Sequence, residues 1–195
     1  MDDTAPPTKH ADFGKPRLTP PGGADFWVFA YGSLIWRPGF TYAEARLGRL
    51  RGYHRRACVI SEVYRGTPEA PGLVLGLDRG GSCNGLVYRV SAEVAHAVMD
   101  YLHEREMVTA AYTPRWLRVD TDIGRVTAAG FVVDHAHRQY AGGLNHGETL
   151  RLIRQGEGRN GHCLDYLRAT VDQLTANGTP DRGLEALVRE AEAAA

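Results

Sequence analysis

The chain has 195 residues, 43% of them hydrophobic and 24% charged, the make-up of one sizeable soluble domain or at most two small ones. Lys+Arg and Asp+Glu number 23 each, so the balance gives no global attraction to nucleic acid or to an anionic membrane. Cys58, Cys83 and Cys163 are dispersed and form no CxxC pair, which argues against a disulfide scaffold and a thiolate zinc site; no apolar run is long enough to span a bilayer.

Residues 1–25 hold five of the ten prolines and few apolar side chains, and are expected to form a disordered or draped arm. The start is acidic and lacks a hydrophobic h-region, so no signal peptide is expected and a soluble, cytoplasmic protein with reduced thiols is the default. The ordered domain is expected over residues 26–195. Strands are predicted at Trp27–Tyr31 and around Gly48–Val59. Pro71–Val90 reads as a hairpin whose apolar arms are joined by the turn-rich "DRGGSCNG". "SAEVAHAVMDYLHERE" reads as a helix with Ser91 at its N-cap. "TPRWLRVDT" and "RVTAAGFVVD" read as two strands turned by "DIG". After Gly143, "HGETLRLIRQ", "HCLDYLRATVDQL" and "DRGLEALVREAEAAA" read as three helices, broken at "GEGRNG" and "NGTP". Strands first, then helices, gives an α+β class.

Several motifs lack their context. "GEGRNG" (Gly156–Gly161) matches GxGxxG, but a helical pattern precedes it where a nucleotide fingerprint needs a strand. "HEREM" has Met107 where a zincin needs its second histidine, and "DHAH" (Asp134–His137) reads as a polar loop ahead of a metal site. Ser33 is not at a nucleophile elbow, because Tyr31 stands where glycine is required. The "YGSL" stretch is left with two readings: a plain turn, or successive N–H groups that cradle a carboxylate or phosphate.

The helix from Ser91 carries a sharper signal. Its inward stripe runs Val94, Val98, Leu102 at i, i+4, i+8, and the next position on it is Glu106, while Glu104 points away. A half-buried carboxylate is suited to proton transfer near neutrality; pairing with Arg105 is the plainer alternative. Tyr112 and Tyr140 read equally as substrate ligands or as packing, Trp36 as a pocket wall or core, and Arg37, Arg55 and Arg56 as carboxylate ligands or surface ion pairs.

"WVFAYGSLIWRPGF", "LRGYHRRACV", "RGTPEAPGLVLGLDRGGSCNGLVYRV", "YLHEREMVTAAYTPRWLRV" and "NGHCLDYL" together resemble the ChaC family of glutathione-specific γ-glutamylcyclotransferases, from Trp27 to the last helices. The resemblance implies a small mixed β-barrel flanked by helices. It also implies cleavage of glutathione to 5-oxoproline and cysteinylglycine with no cofactor; the residues themselves give no expectation of a metal, nor of nucleic acid or membrane as partner. It places the γ-glutamyl group on Tyr31, Gly32, Ser33 and Leu34, extended by Ile35 and Trp36. It also places the catalytic carboxylate on Glu106, through "REMVTAAY". Ala110 and Ala111 depart from the family's glycines there. The alternatives are other γ-glutamyl amino acids or amines as substrates, and a non-catalytic regulatory module tied to cation transport.

Overall fold

A computed structural model describes residues 14–193. Five strands close into a mixed barrel: β1 (Phe26–Ala30), β2 (Glu44–Ser61), β3 (Gly72–Val90), β4 (Tyr112–Thr121) and β5 (Gly124–Val133), in the order β1-β3-β2-β4-β5. The antiparallel pairs β1–β3, β2–β3, β2–β4 and β4–β5 carry most of the ladder. The ring closes through parallel pairing of Trp27 with Ala128 and Val28 with Ala129, and through Leu77 beside Val132. Closure leaves no free edge along these strands. Phe29, Leu50, Leu77, Val87, Val119 and Ala128 lie among the fully buried residues of the core.

Pro71–Val90 is not a hairpin. Gly72–Val90 is one strand, paired with β2 along its whole length, from Glu44 opposite Arg89 to Ser61 opposite Gly72. The cluster that reads as a turn bends the strand instead. Gly80 and Gly81 have φ of 96° and 67°, and the facing Gly52 has φ of 82° where the β2 register slips. Left-handed glycines facing one another let both strands bend together, which a small barrel needs at its corners.

The helix after β3 starts with a 3-10 turn over Ala92–Val94 and continues as α1 (Ala95–Glu106). Ser91 sits at the N-cap but makes no side-chain cap bond; Asp25 Oδ1 accepts the Ala92 N–H at 3.0 Å instead. Val98, Met99 and Leu102 are buried on the stripe that leads to Glu106. Three helices follow: α2 (His146–Gln155), α3 (Cys163–Ala176) and α4 (Arg182–Ala193). Asn145 and Glu148 form a reciprocal capping box at the start of α2. "GEGRNG" builds a two-stranded ribbon, β6 (Glu157–Gly158) with β7 (Gly161–His162). Its Arg159 and Asn160 N–H groups donate to the Val63 and Tyr64 carbonyls, so they stitch two loops together and cradle no phosphate.

Residues 1–13 of the expected arm lie outside the described residues. Of the rest, Lys15 pairs with Asp134, Arg17 with Asp100, and Asp25 with Arg89, and Pro20 is buried. No helix among the described residues is long and apolar enough to cross a membrane.

Candidate active site

β1 ends at Ala30, and the chain turns at once into a short 3-10 turn over Ser33–Ile35. The turn is held by Ile35 N–H on Gly32 O at 2.9 Å and Arg37 N–H on Ser33 O at 2.8 Å. Tyr88 Oη donates to the Leu34 and Ile35 carbonyls, each at 3.1 Å, and Arg55 Nε donates to Tyr31 O at 2.6 Å. The carbonyls are therefore tied to the barrel, while the N–H groups of Ser33 and Leu34 open the turn and take no part in its internal bonds. Gly32 packs closely against α3. A Cβ there would come within 3.0 Å of Tyr166 Oη.

This turn forms one wall of a cavity of about 390 Å³. Tyr31, Gly32, Ser33, Leu34 and Trp36 line it, together with Glu106 and Tyr112. The structure thus brings together residues separated by some eighty positions, at the end of β1, the last residue of α1 and the first residue of β4. Two predicted site residues are placed elsewhere. Ile35 is buried in the core at 4% exposure. Tyr140 donates to Asp78 Oδ2 at 3.0 Å and stacks on His135, away from the cavity walls.

Glu106 is the last residue of α1, with its side chain 18% exposed. Burial pushes its carboxyl above the ordinary range, and the adjacent Arg105 offsets part of that rise. Arg105 Nε lies 3.2 Å from Glu106 Oε1, so the acid–base and ion-pair readings of Glu106 describe one arrangement. Tyr31, Tyr112 and Tyr166 surround this carboxylate. Burial above all pushes each of the three phenols up, and Glu106 adds to the rise; at Tyr166 the bond from Leu75 N–H offsets part of it. Tyr112 Oη donates to Leu75 O at 2.9 Å, and Leu75 N–H donates to Tyr166 Oη at 3.4 Å, so two tyrosines are anchored on one β3 residue.

Two more arginines line the cavity. Arg65 lines the cavity with its guanidinium 5.3 Å from the centre of the Tyr166 ring, and Arg37 lines it nearby. Of the other arginines singled out in the sequence, Arg55 is bound to Asp181 at 2.6 Å and Arg56 to Asp78 at 3.2 Å; neither lines the cavity. Arg65, Tyr166 and Arg105 were not predicted as site residues. Tyr166 carried a signal: it lies on the buried α3 stripe of Cys163, Tyr166, Leu167, Thr170 and Leu174, where a phenol needs a polar partner.

The loop between Glu106 and Tyr112 contains one left-handed alanine. Ala110 has φ of +56°, the left-handed conformation that glycine adopts without strain, and it is 2% exposed. Val108 and Thr109 of this loop also line the cavity. Burial pushes the Cys58 thiol up to about 12 and those of Cys83 and Cys163 up to about 11, so none supplies a thiolate nucleophile near neutrality. Asp134 of "DHAH" pairs with Lys15 and His135 with Asp78; among the described residues, no group of three or more His, Cys, Asp or Glu side chains is placed to hold a metal ion.

A raised carboxylate can exchange protons, backbone N–H groups can receive an anion, and paired guanidinium groups can receive a second one. Comparison with known proteins identifies the family. The family model described as ChaC-like protein matches residues 26–194. A glutathione-specific gamma-glutamylcyclotransferase of Escherichia coli is 35% identical over 169 residues, covering 86% of this chain and 73% of its own. A glutathione-specific gamma-glutamylcyclotransferase 1 of mouse is 34% identical, covering 83% of this chain and 76% of its own. A crystal structure of a yeast γ-glutamyl cyclotransferase specific to glutathione shares the fold, with a TM-score of 0.80 at 21% identity, covering 87% of this chain and 96% of the yeast chain. The chain belongs to the ChaC-like protein family.

Proposed function

We propose that this protein is a glutathione-specific γ-glutamylcyclotransferase, releasing 5-oxoproline and cysteinylglycine. The observation that carries the reading is the largely buried carboxylate of Glu106, in the same cavity as the Gly32–Leu34 turn, Arg37 and Arg65. The cavity volume falls within the usual range for a small-molecule site, about 300–1,000 Å³. Relatives at 34–35% identity carry that activity in their names.

The reaction is an internal acyl transfer. The substrate's α-nitrogen attacks its own γ-carbonyl carbon, a C–N bond closes the five-membered lactam, and the bond to the cysteinyl nitrogen breaks. Two protons leave the α-nitrogen and two arrive at the departing nitrogen, so net charge is conserved. Glu106 is the carrier: its carboxylate takes the two protons one after the other from the α-nitrogen and passes each to the leaving nitrogen. Its raised pKa makes the carboxylate a stronger base toward the α-ammonium than an ordinary glutamate, and brings it nearer the operating pH. The N–H groups of Ser33 and Leu34 receive the γ-glutamyl carboxylate, and Arg37 with Arg65 receives the glycyl carboxylate. Holding both ends folds the glutamyl arm toward ring closure, which converts binding into rate. The nucleophile belongs to the substrate, so the buried thiols and Ser33 are not needed as nucleophiles. No cofactor is required.

The test is a substrate panel with purified protein: glutathione, γ-glutamylcysteine, other γ-glutamyl amino acids and γ-glutamyl amines, read as 5-oxoproline release. The proposal expects the highest kcat/KM with glutathione. A higher value with another γ-glutamyl compound would transfer the specificity to it. Tight binding without turnover on any of them would make the chain a binding module.

A further inference from the structure

We propose that Arg105 is a positioning residue that locks the Glu106 carboxylate and the Tyr31–Trp36 turn into one unit. The inference rests on the cyclotransferase reading above. It assigns Arg105 a task that acts through its neighbours and requires no contact with substrate.

One guanidinium reaches every part of the machinery on its side of the cavity. Nε faces Glu106 Oε1 at 3.2 Å. Nη2 donates to Ser33 Oγ at 2.8 Å. Nη1 donates to Arg37 O at 2.7 Å, Pro38 O at 3.1 Å and Tyr101 Oη at 2.8 Å. The side chain is 19% exposed, so these bonds are largely shielded from water. Tyr101 and Arg105 are one turn apart on α1, and the guanidinium sits 5.9 Å from the Tyr101 ring. Gly39, with φ of +74°, leaves room for this pair: a Cβ there would stand 2.0 Å from Tyr101 Oη and 3.4 Å from Arg105 Nη1.

The planar fork is what the arrangement uses. Its donors point in fixed, divergent directions toward α1, the 3-10 turn and the loop after it. Lysine offers the same charge from a single point and cannot span those three acceptor sets at once. If the turn shifts, Ser33 moves with the guanidinium, and the guanidinium moves against Glu106. The γ-glutamyl cradle and the proton carrier are therefore held in register by one side chain. Around Glu106 the titratable and charged groups are Arg105 from α1, Tyr31 from the end of β1, Tyr112 from β4 and Tyr166 from α3.

The experiment compares Arg105→Lys, Arg105→Met, Ser33→Ala and the Arg105→Lys/Ser33→Ala double variant with the wild-type chain, measuring kcat and KM for glutathione from pH 5 to 9 and Tm. Arg105→Lys is expected to lower kcat/KM about ten- to a hundredfold, mostly in kcat. Arg105→Met is expected to move the acidic limb of kcat/KM to higher pH, because Glu106 loses the cation that restrains its rise. The double variant is expected to be little worse than its worse parent, because both changes break one connection. Additive losses together with an unmoved acidic limb would overturn the inference. So would failure of both Arg105 variants to fold, since Arg105 would then be a structural residue only. Wild-type protein that releases no 5-oxoproline, or a folded Glu106→Gln variant of undiminished rate, would instead remove the cyclotransferase reading on which the inference stands.

Discussion

Replacing Gly32 with alanine separates the role of the turn in binding from its role in folding. The new Cβ would lie 3.0 Å from Tyr166 Oη, so that hydroxyl must retreat by a few tenths of an ångström. Its bond from Leu75 N–H is already 3.4 Å long, and losing it costs about 0.5–1.5 kcal/mol. Alanine also restricts the unfolded chain, which offsets about 0.4–1 kcal/mol. The net loss is at most about 1 kcal/mol, a Tm drop of about 2–4 °C in a chain of this size. Binding has no such offset. Gly32 lines the cavity, so in the proposed binding mode the methyl would crowd a carboxylate held on the Ser33 and Leu34 N–H groups. A lost hydrogen bond to a charged group is worth about 1.5–3 kcal/mol, or about a ten- to hundredfold rise in KM. Calorimetry and steady-state kinetics on Gly32→Ala give both quantities. A large Tm drop with unchanged KM would refute the reasoning and make the stretch an ordinary turn.

Three further outcomes are expected. Gly39→Ala should lower Tm by about 4–10 °C, because a left-handed alanine costs about 1–2 kcal/mol and Tyr101 must also be displaced; thermal melts check this. Asp78→Asn should destabilise the chain by about 2–3 kcal/mol at pH 7, since Asp78 binds Arg79 N–H, His135, Tyr140 and Arg56 while 4% exposed. Burial pushes the Asp78 carboxyl up, but those partners outweigh it and hold it below the ordinary value. Its stabilisation is therefore present above the unfolded-state pKa and lost as pH falls through the lower folded one, so the gap between wild type and Asp78→Asn in urea melts should close below about pH 4. For catalysis, Glu106 must be ionised to accept a proton, so kcat/KM for the wild type should fall on the acid side at a pKa above that of an exposed glutamate. A limb at the ordinary glutamate value would contradict this.

Much of the architecture was legible because it rests on local periodicity. The 3.6-residue stripe of α1 led through Val98 and Leu102 to Glu106, and the structure places that residue at the cavity. The three late helices and β1, β4 and β5 also follow their patterns to within a few residues. What was not legible depends on partners distant in sequence. Asp78, Gly80, Gly81 and Asn84 have the chemistry of a hairpin turn, yet the strand continues, because β2 offers one uninterrupted partner with its own left-handed Gly52 at the same point. Tyr140 looks like a site tyrosine until Asp78, 62 residues away, takes its hydroxyl. Arg105 was visible only as a bland partner for Glu106. Its bonds to Ser33, Arg37 and Pro38 span 67–72 positions, and no local pattern announces them. Arg65 is held by the Asn160 and His162 carbonyls and by the Tyr166 ring, all distant from it in sequence.

The central claim, that Glu106 carries the protons of γ-glutamyl cyclisation, is tested most directly by 5-oxoproline release from glutathione by Glu106→Gln beside the wild type. The account predicts a fall of about 10²–10⁴-fold in kcat with the fold retained by circular dichroism. A folded Glu106→Gln protein that releases 5-oxoproline at close to the wild-type rate would contradict it.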